Sequence, residues 1–233
     1  MPRPPFADAA PLRLVIFDYD GTLADSHASF HQAIEAACHE VGITPPLPED
    51  TRGKVGLATV EAIHALLPDA PPSTLRAFGD ALHRARRFQR AGTAPLDALF
   101  PHAKAVIQTL YDWHVLMAVA TNKSRRGLDH SLSAHGIERY FVTSRTPDET
   151  HPKPNPAMVR EILSYTGVDA ANAVFLGDTA IDMACARGAG VAAIGAAWGY
   201  HDRAELERGG ARLVIGGFTE LGPALRQVWS RAA

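Results

Sequence analysis

The sequence predicts an α/β protein with a doubly wound parallel sheet and an inserted block of helices. From residue 101 onwards, short apolar runs alternate regularly with helical patterns, and this order is typical of parallel strands joined by right-handed crossovers. The run Leu14–Phe17 is apolar without interruption, as in a strand that is buried on both faces of a sheet. Between residues 26 and 95, in contrast, the sequence carries helical patterns and no strong strand pattern.

Length and composition are those of a globular protein. The chain has 233 residues, 46% hydrophobic and 21% charged, which is enough to bury a full core. A formal net charge of -2 provides no broad basic surface, so nucleic acid is disfavoured as a partner. The longest apolar runs are too short to span a bilayer, and residues 1–11 lack the apolar segment of a signal peptide. Cys38 and Cys185 are far apart in the sequence, and we expect two thiols in a reducing cytoplasm.

The helical patterns after the first strand define the insertion. Residues 26–41 carry apolar side chains at helical spacing, and Gly42 suits the end of that helix. Further helices are expected over residues 57–67 and 73–90. We therefore expect a helical domain over residues 26–94, inserted into a core domain formed by residues 1–25 and 95–233.

The alternation after residue 101 supplies the rest of the sheet. Strands are expected at residues 115–120, 140–143, 173–176, 191–194 and 212–215. Helices are expected at residues 102–112, 124–135, 155–166, 180–188 and 202–208 and from about residue 218.

Two aspartates, Asp18 and Asp20, follow the first strand directly. Ligands bind at the carboxyl ends of strands in open α/β sheets. Because two carboxylates this close repel each other, a shared cation is expected beside them. The aspartates alone leave a second interpretation open, since an Asp-Gly turn after a strand is common.

Further polar residues follow two other expected strands. Thr121 and Asn122 end one strand, Asp178 ends another, and Lys153 lies in a loop between them. Each has an ordinary structural explanation: a capped turn, a solvated lysine, or, for Asp178 with Asp182, acids at a helix start. These positions can nevertheless converge on one crevice of a doubly wound sheet, and we interpret them together as one site.

Four segments carry these residues: Asp18–Thr22, Thr121–Asn122, Lys153–Pro154 and Gly177–Asp182. They resemble the four motifs of the haloacid dehalogenase-like (HAD) hydrolase superfamily, in its phosphoglycolate-phosphatase-like branch. The resemblance covers nearly the whole chain, including the tract Ala196–Tyr200. It implies a Rossmann-like core with a helical cap, and its motifs are specific for the superfamily but uninformative about the substrate.

The resemblance also implies an Mg²⁺-dependent reaction through an aspartyl-phosphate. Asp18 would be the nucleophile, and Asp20 would protonate the leaving oxygen and then deprotonate the attacking water. Mg²⁺ would be held by the Asp18 carboxylate, the Asp20 backbone carbonyl and Asp178. Asp182 would orient the metal site without being a direct ligand.

The substrate's phosphoryl group would be bound by Thr121 and Lys153, which we count as catalytic, together with Asn122. Phosphoryl transfer requires mainly positioning and charge neutralisation. Beyond the phosphate, Arg52 and Lys54 lie in a loop that resembles the specificity loop of related caps, although exposed cations are often simply solvated. The basic cluster Arg84, Arg86, Arg87 and Arg90 is interpreted as a solvated helix face.

The leading interpretation is a cytoplasmic phosphomonoesterase, monomeric or homodimeric, that acts on a small phosphorylated metabolite. A pyrophosphatase or a sugar phosphomutase on the same scaffold remains an alternative. Dehalogenation is disfavoured because it would not require carboxylates at Asp20 and Asp178. A non-catalytic protein that binds a phosphorylated ligand would be expected to lack one of the chemical positions, and all of them are present.

Overall fold

The computed structural model describes residues 11–89 and 96–230. Within these ranges, six strands form one parallel sheet with helices on both faces, and the predicted fold class is confirmed. The strands are β1 (Leu14–Phe17), β2 (Leu116–Ala120), β3 (Thr143–Arg145), β4 (Ala173–Gly177), β5 (Ala192–Ala196) and β6 (Leu213–Ile215). The helices are α1 (His27–Val41), α2 (Pro48–Arg52), α3 (Thr59–Leu66), α4 (Pro72–Phe88), α5 (Ala103–Asp112), α6 (Arg125–His135), α7 (Ala157–Thr166), α8 (Ala180–Gly188), α9 (Arg203–Gly209) and α10 (Leu221–Ser230).

The strand order is β3-β2-β1-β4-β5-β6, with β1 in the middle of the sheet. Strands β2 and β3 lie on one side of β1, and the chain then crosses the sheet so that β4, β5 and β6 lie on the other side. Phe17 at the end of β1 is in register with Val119 of β2 and Leu176 of β4. The residues that follow these three strands therefore emerge side by side, at the switch point where α/β sheets form their ligand crevice.

Strand β1 is buried on both faces, as its uninterrupted apolar sequence predicts. Val15 and Phe17 pack into the apolar layer under α5, α6 and α10, whereas Leu14 and Ile16 pack into the layer under α7, α8 and α9. All four side chains are inaccessible to solvent. The strand that carries the first aspartates is thus fixed from both sides.

Helices α1–α4 form a block with its own apolar cluster, which includes Phe30, Ile34, Phe78 and Leu82. Helix α1 ends where the sequence predicts, because Gly42 adopts a left-handed conformation with φ 73° that favours glycine. The one-turn helix α2 was not predicted. The expected second domain boundary, between residues 94 and 95, lies outside the described residues.

The third predicted strand is displaced by three residues. Residues Glu138–Tyr140, which include the first residue of the predicted strand, form a 3₁₀ turn, and β3 begins only at Thr143. The Tyr140 ring packs edge-on against Tyr111, and its hydroxyl bonds to Gln108. An aromatic residue favours strands because it packs well on a half-buried surface, and here a helix supplies that surface instead.

None of the helices within the described residues is long and apolar enough to cross a membrane.

Candidate active site

The predicted polar residues converge at the carboxyl ends of β1, β2 and β4. Six of them are buried: Asp18, Thr121, Asn122, Lys153, Asp178 and Asp182. Buried charges are rare unless they are paired. Their concentration at the switch point of the sheet therefore marks a built site.

Lys153 lies between two carboxylates. Its Nζ is 2.7 Å from Oδ1 of Asp18 and 2.6 Å from Oδ1 of Asp182. The contact with Asp182 is a directed hydrogen bond, whereas the contact with Asp18 is an ion pair with poor hydrogen-bond geometry. Burial alone would lower the pKa of Lys153, but the two carboxylates raise it above its ordinary value. The ammonium thus remains charged although it is inaccessible to solvent.

Asp182 is held by the start of its own helix. Its Oδ2 accepts hydrogen bonds from the backbone N–H of Thr179 at 3.0 Å and from the Thr179 hydroxyl at 2.8 Å. The Thr179 hydroxyl in turn accepts from the Asp182 N–H, a reciprocal arrangement that satisfies the free N–H groups of a helix start. With Lys153 on Oδ1, both oxygens of Asp182 have protein partners.

Asp178 is fixed by residues that follow β1 and β5. Its Oδ1 accepts from the Thr22 hydroxyl at 2.8 Å, and its Oδ2 accepts from the backbone N–H of Tyr200 at 3.0 Å. Two glycines allow this close approach, because a Cβ at either Gly21 or Gly199 would overlap the Asp178 side chain. The sequence pointed to Thr22 and Gly199 only as members of motifs and gave them no role.

The buried acids fit a divalent metal ion. Asp18, Asp178 and Asp182 each have one carboxylate oxygen that lies within 4.8 Å of those of the other two. Three buried carboxylates face one buried ammonium, so negative charge is in excess. Burial raises the pKa of Asp18 to about 7 against the opposing effect of Lys153, and burial with the neighbouring acids raises that of Asp178 well above its usual range. A hard cation with oxygen ligands, such as Mg²⁺, suits this donor set.

Asp20 has a partner, Lys123, that was not predicted from the sequence. Its Oδ1 lies 2.8 Å from Nζ of Lys123 and also accepts a hydrogen bond from the Ser26 hydroxyl. Burial would raise the pKa of Asp20, but Lys123 and Ser26 more than offset this effect and hold the pKa below its usual range. Lys123 directly follows the predicted Thr121–Asn122 pair, and this adjacency was the available signal.

Asn122 holds the loop that carries Lys153. Its Oδ1 accepts from the backbone N–H of Lys153 at 2.8 Å, and its Nδ2 donates to the Lys153 carbonyl at 3.1 Å. The same Nδ2 donates to the carbonyl of Gly56 in the helical block at 3.0 Å. The side-chain amide of Asn122 is therefore fully engaged with backbone groups. The hydroxyl of the preceding residue, Thr121, accepts a hydrogen bond from the Lys123 N–H at 3.2 Å.

A cavity of about 290 Å³ lies between the core and the helical block. The core contributes Asp20, Asp97, Asn122, Lys123 and His130, and the block contributes Ser29, Phe30, Val55, Gly56, Arg86 and Gln89. Arg52 and Lys54 are not part of this lining. Arg52 is exposed, donates to the carbonyl of Gly199 at 3.2 Å, and lies with its guanidinium 5.5 Å from the centre of the Tyr200 ring.

The interpretation of the basic cluster on α4 as a solvated face is wrong for Arg86. Arg84 is exposed and pairs with Glu40, and Arg87 is exposed as well. Arg86 instead lines the cavity, with its guanidinium 5.2 Å from the centre of the Phe30 ring. Arg90 lies outside the described residues.

Comparison with known proteins identifies the family. The family model for haloacid dehalogenase-like hydrolases matches residues 15–196. A protein named probable phosphatase IndB, from Dickeya dadantii (strain 3937), is 30% identical over 211 residues, which cover 89% of this chain and 91% of that protein. A protein named phosphoglycolate phosphatase, from Pseudomonas fluorescens (strain Pf0-1), is 29% identical over 214 residues, covering 91% and 79%. The chain belongs to the haloacid dehalogenase-like hydrolases, which confirms the predicted family and makes the protein an enzyme.

Solved structures show the same fold. A predicted phosphoglycolate phosphatase from Haemophilus somnus 129PT superposes with a TM-score of 0.82 at 20% identity, covering 93% of this chain and 99% of that chain. A predicted phosphatase from Clostridium acetobutylicum superposes with a TM-score of 0.82 at 18% identity, covering 94% and 100%. At these identities the likeness extends to the fold alone.

Proposed function

We propose that the protein is an Mg²⁺-dependent phosphomonoesterase that hydrolyses a small phosphorylated metabolite through a phosphorylated Asp18. The observation that carries this proposal is the placement of Asp18: a buried carboxylate at the end of the central strand, with Lys153 and two further acids around it. Membership of the hydrolase family and the names of the curated relatives support it.

The proposed reaction has two steps that share Asp20. In the first, a carboxylate oxygen of Asp18 attacks phosphorus, the bond to the leaving oxygen breaks, and Asp20 donates a proton to that oxygen. In the second, Asp20 takes a proton from a water molecule that attacks the aspartyl-phosphate and releases phosphate. Asp20 lines the cavity that adjoins this site, as an acid facing the leaving group should.

The metal site would use the Asp18 carboxylate, the Asp20 backbone carbonyl and Asp178. When bound, Mg²⁺ would neutralise charge on the phosphoryl oxygens. The hydrogen bonds from Thr22 and from the Tyr200 N–H fix the orientation of Asp178. Asp182 binds the Lys153 ammonium through Oδ1 and the start of its own helix through Oδ2, and this bond supports an indirect role in which it orients Lys153.

Phosphate binding is assigned to Lys153 and Thr121. Lys153 supplies a buried positive charge that stabilises the charge shared by the transferring phosphoryl oxygens. For Asn122, the occupied amide favours positioning the Lys153 loop over direct contact with substrate.

We further propose that helices α1–α4 act as a cap over the site. The block has its own apolar cluster, against which Tyr200 of the core packs. It also meets the core through polar contacts such as Gly56 with Asn122 and Arg52 with Gly199. Such contacts can break and re-form when a cap opens. The relatives named phosphoglycolate phosphatase point to a small carboxylated phosphoester as substrate, and we expect the enzyme in the cytoplasm as a monomer or homodimer.

Phosphate release tests the proposal. Phosphoglycolate, glycerol 3-phosphate, pyrophosphate and p-nitrophenyl phosphate would be supplied with Mg²⁺, with EDTA in excess, and with the Asp18→Asn variant. We expect the wild-type protein to release phosphate from the monoesters in the presence of Mg²⁺. Excess EDTA should abolish this release, and the Asp18→Asn variant should show none. Preference for pyrophosphate, or undiminished release in EDTA, would contradict the proposal.

A further inference from the structure

In the proposed reaction, the cavity beside Asp20 is the space available to the leaving group of the substrate. Asp20 lies on its core side, and the helical block closes the other side. A group departing from the phosphorus atom and protonated by Asp20 would pass into this space. The residues on the block side are therefore placed to recognise the leaving group.

Among the described residues of the block, Arg86 is the cation that lines this cavity. Its side chain is half-buried and its guanidinium lies over the Phe30 ring, a position that holds the planar group in place. Among residues 11–89 and 96–230, it makes no hydrogen bond or ion pair with another side chain. The other cation of the lining, Lys123, is already paired with Asp20.

The remaining titratable groups that face Arg86 are Asp20, Asp97 and His130. Burial lowers the pKa of Arg86, and the charges of Asp20 and Asp97 oppose this effect. Burial also raises the pKa of Asp97. A guanidinium withdrawn from water in this way, without a directed partner, is ready to bind an anion that enters the cavity.

We propose that Arg86 determines substrate specificity by binding a carboxylate on the leaving group of a small phosphoester. This role rests on the proposed function, and it makes Arg86 the residue that recognises the leaving group in the cavity. The planar guanidinium matches the two oxygens of a carboxylate, and a cavity of about 290 Å³ suits a group of a few carbon atoms. This role was expected of Arg52 and Lys54, which lie outside the lining.

Two matched substrate pairs test this role. Phosphoglycolate is compared with 2-hydroxyethyl phosphate, and 3-phosphoglycerate with glycerol 3-phosphate, so that each pair differs by a carboxylate in place of a hydroxymethyl group. We expect Arg86→Gln to lower kcat/KM about 10- to 100-fold on the carboxylated member of a pair that the wild-type protein prefers, as for the loss of a charged hydrogen bond. The neutral member should change less than about threefold. Arg86→Lys should recover part of the loss.

Arg87→Gln is the matched control, because Arg87 is the next residue on the same helix and is exposed. It should leave both members of each pair unchanged, and retained activity of Arg86→Gln on the neutral substrates shows that the variant is folded. Equal losses on both members, no loss on either, or a wild-type preference for the neutral members would overturn the role of Arg86 while leaving the phosphatase proposal intact. Absence of phosphate release by the wild-type protein from all four compounds would overturn both.

Discussion

Lys123 and Asp20 form a partly buried ion pair, with Nζ 2.8 Å from Oδ1, although 103 residues separate them in the sequence. The pair joins the ends of β2 and β1, and it fixes the carboxylate that we assign as acid and base. Ser26, at the start of α1, binds the same oxygen of Asp20. The carboxylate that we assign as acid and base is therefore bonded both to the core and to the residue that directly precedes the helical block.

Loss of the Lys123 ammonium should impair turnover of every phosphomonoester. Lys123→Met removes the ion pair that orients Asp20, and we expect kcat to fall about 10- to 100-fold, the equivalent of one charge-assisted hydrogen bond. Steady-state kinetics on an alkyl and an aryl phosphate measure the effect. Lys123→Arg, which keeps the charge, should retain more activity, and normal kcat in Lys123→Met would show that the pair has no part in catalysis.

Replacement of Asp20 should separate the two proposed steps. Asp20→Asn can neither donate nor accept the proton, so we expect turnover to fall about 10²–10⁴-fold with fold and Mg²⁺ affinity retained. p-Nitrophenolate leaves without a proton, so the first step with an aryl phosphate should suffer least. Rapid mixing should then show a burst of p-nitrophenolate followed by slow turnover. A variant with near-normal turnover would exclude Asp20 from this role.

Asn122 should affect both stability and activity, because it holds the backbone of Lys153. Asn122→Ala leaves the N–H and carbonyl of Lys153 without their partner, and we expect a loss of about 1–3 kcal/mol in the free energy of unfolding together with reduced kcat. Chemical denaturation and kinetics measure the two effects. Asn155→Ala is the control, since Asn155 is exposed in the same loop and its side chain accepts a single hydrogen bond, from the backbone N–H of Ala157. Equal effects of the two substitutions would contradict the assignment.

Arg52 should act on cap closure and leave substrate choice unaltered. Its contacts are the Gly199 carbonyl and the Tyr200 ring of the core, so Arg52→Ala should lower kcat/KM by a similar factor, below about tenfold, on carboxylated and neutral substrates. Hydrogen exchange of residues 52–56 should increase. Lys54→Ala provides the comparison, because within the described ranges the Lys54 side chain makes no hydrogen bond or ion pair, and its bonds to Thr51 and Leu57 are those of its backbone. A loss confined to carboxylated substrates would return Arg52 to the specificity role predicted from sequence.

Local sequence patterns predicted the sheet and the positions of the core acids for a physical reason. A strand buried on both faces must be apolar throughout, so Leu14–Phe17 was visible as a strand, and the charges that follow it had to lie at its carboxyl end. Contacts between distant segments left no such pattern. The pairing of Asp20 with Lys123 and the contact of Arg52 with Gly199 depend on how loops meet in three dimensions.

For Arg86, helical spacing indicated an inward-facing position, but the charge of the segment led to the prediction of a solvated face. Arg86 lies four residues after Leu82 and eight after Phe78, both of which are buried, so helical spacing places it near the stripe that faces inward. The neighbouring arginines made the segment look like a solvated face. A cation on an otherwise buried stripe is a better indication of a binding site than the total charge of a segment.

In the proposed reaction, Asp18 carries the phosphoryl group during turnover. The most direct measurement is rapid acid quench of the Asp20→Asn variant with ³²P-labelled substrate and Mg²⁺, followed by peptide mapping. We expect label on the peptide that contains Asp18, released by hydroxylamine as an acyl phosphate should be, and no label when Asp18 is also replaced by Asn. Label on a different residue, or release of phosphate at an undiminished rate by the Asp18→Asn protein, would contradict the account.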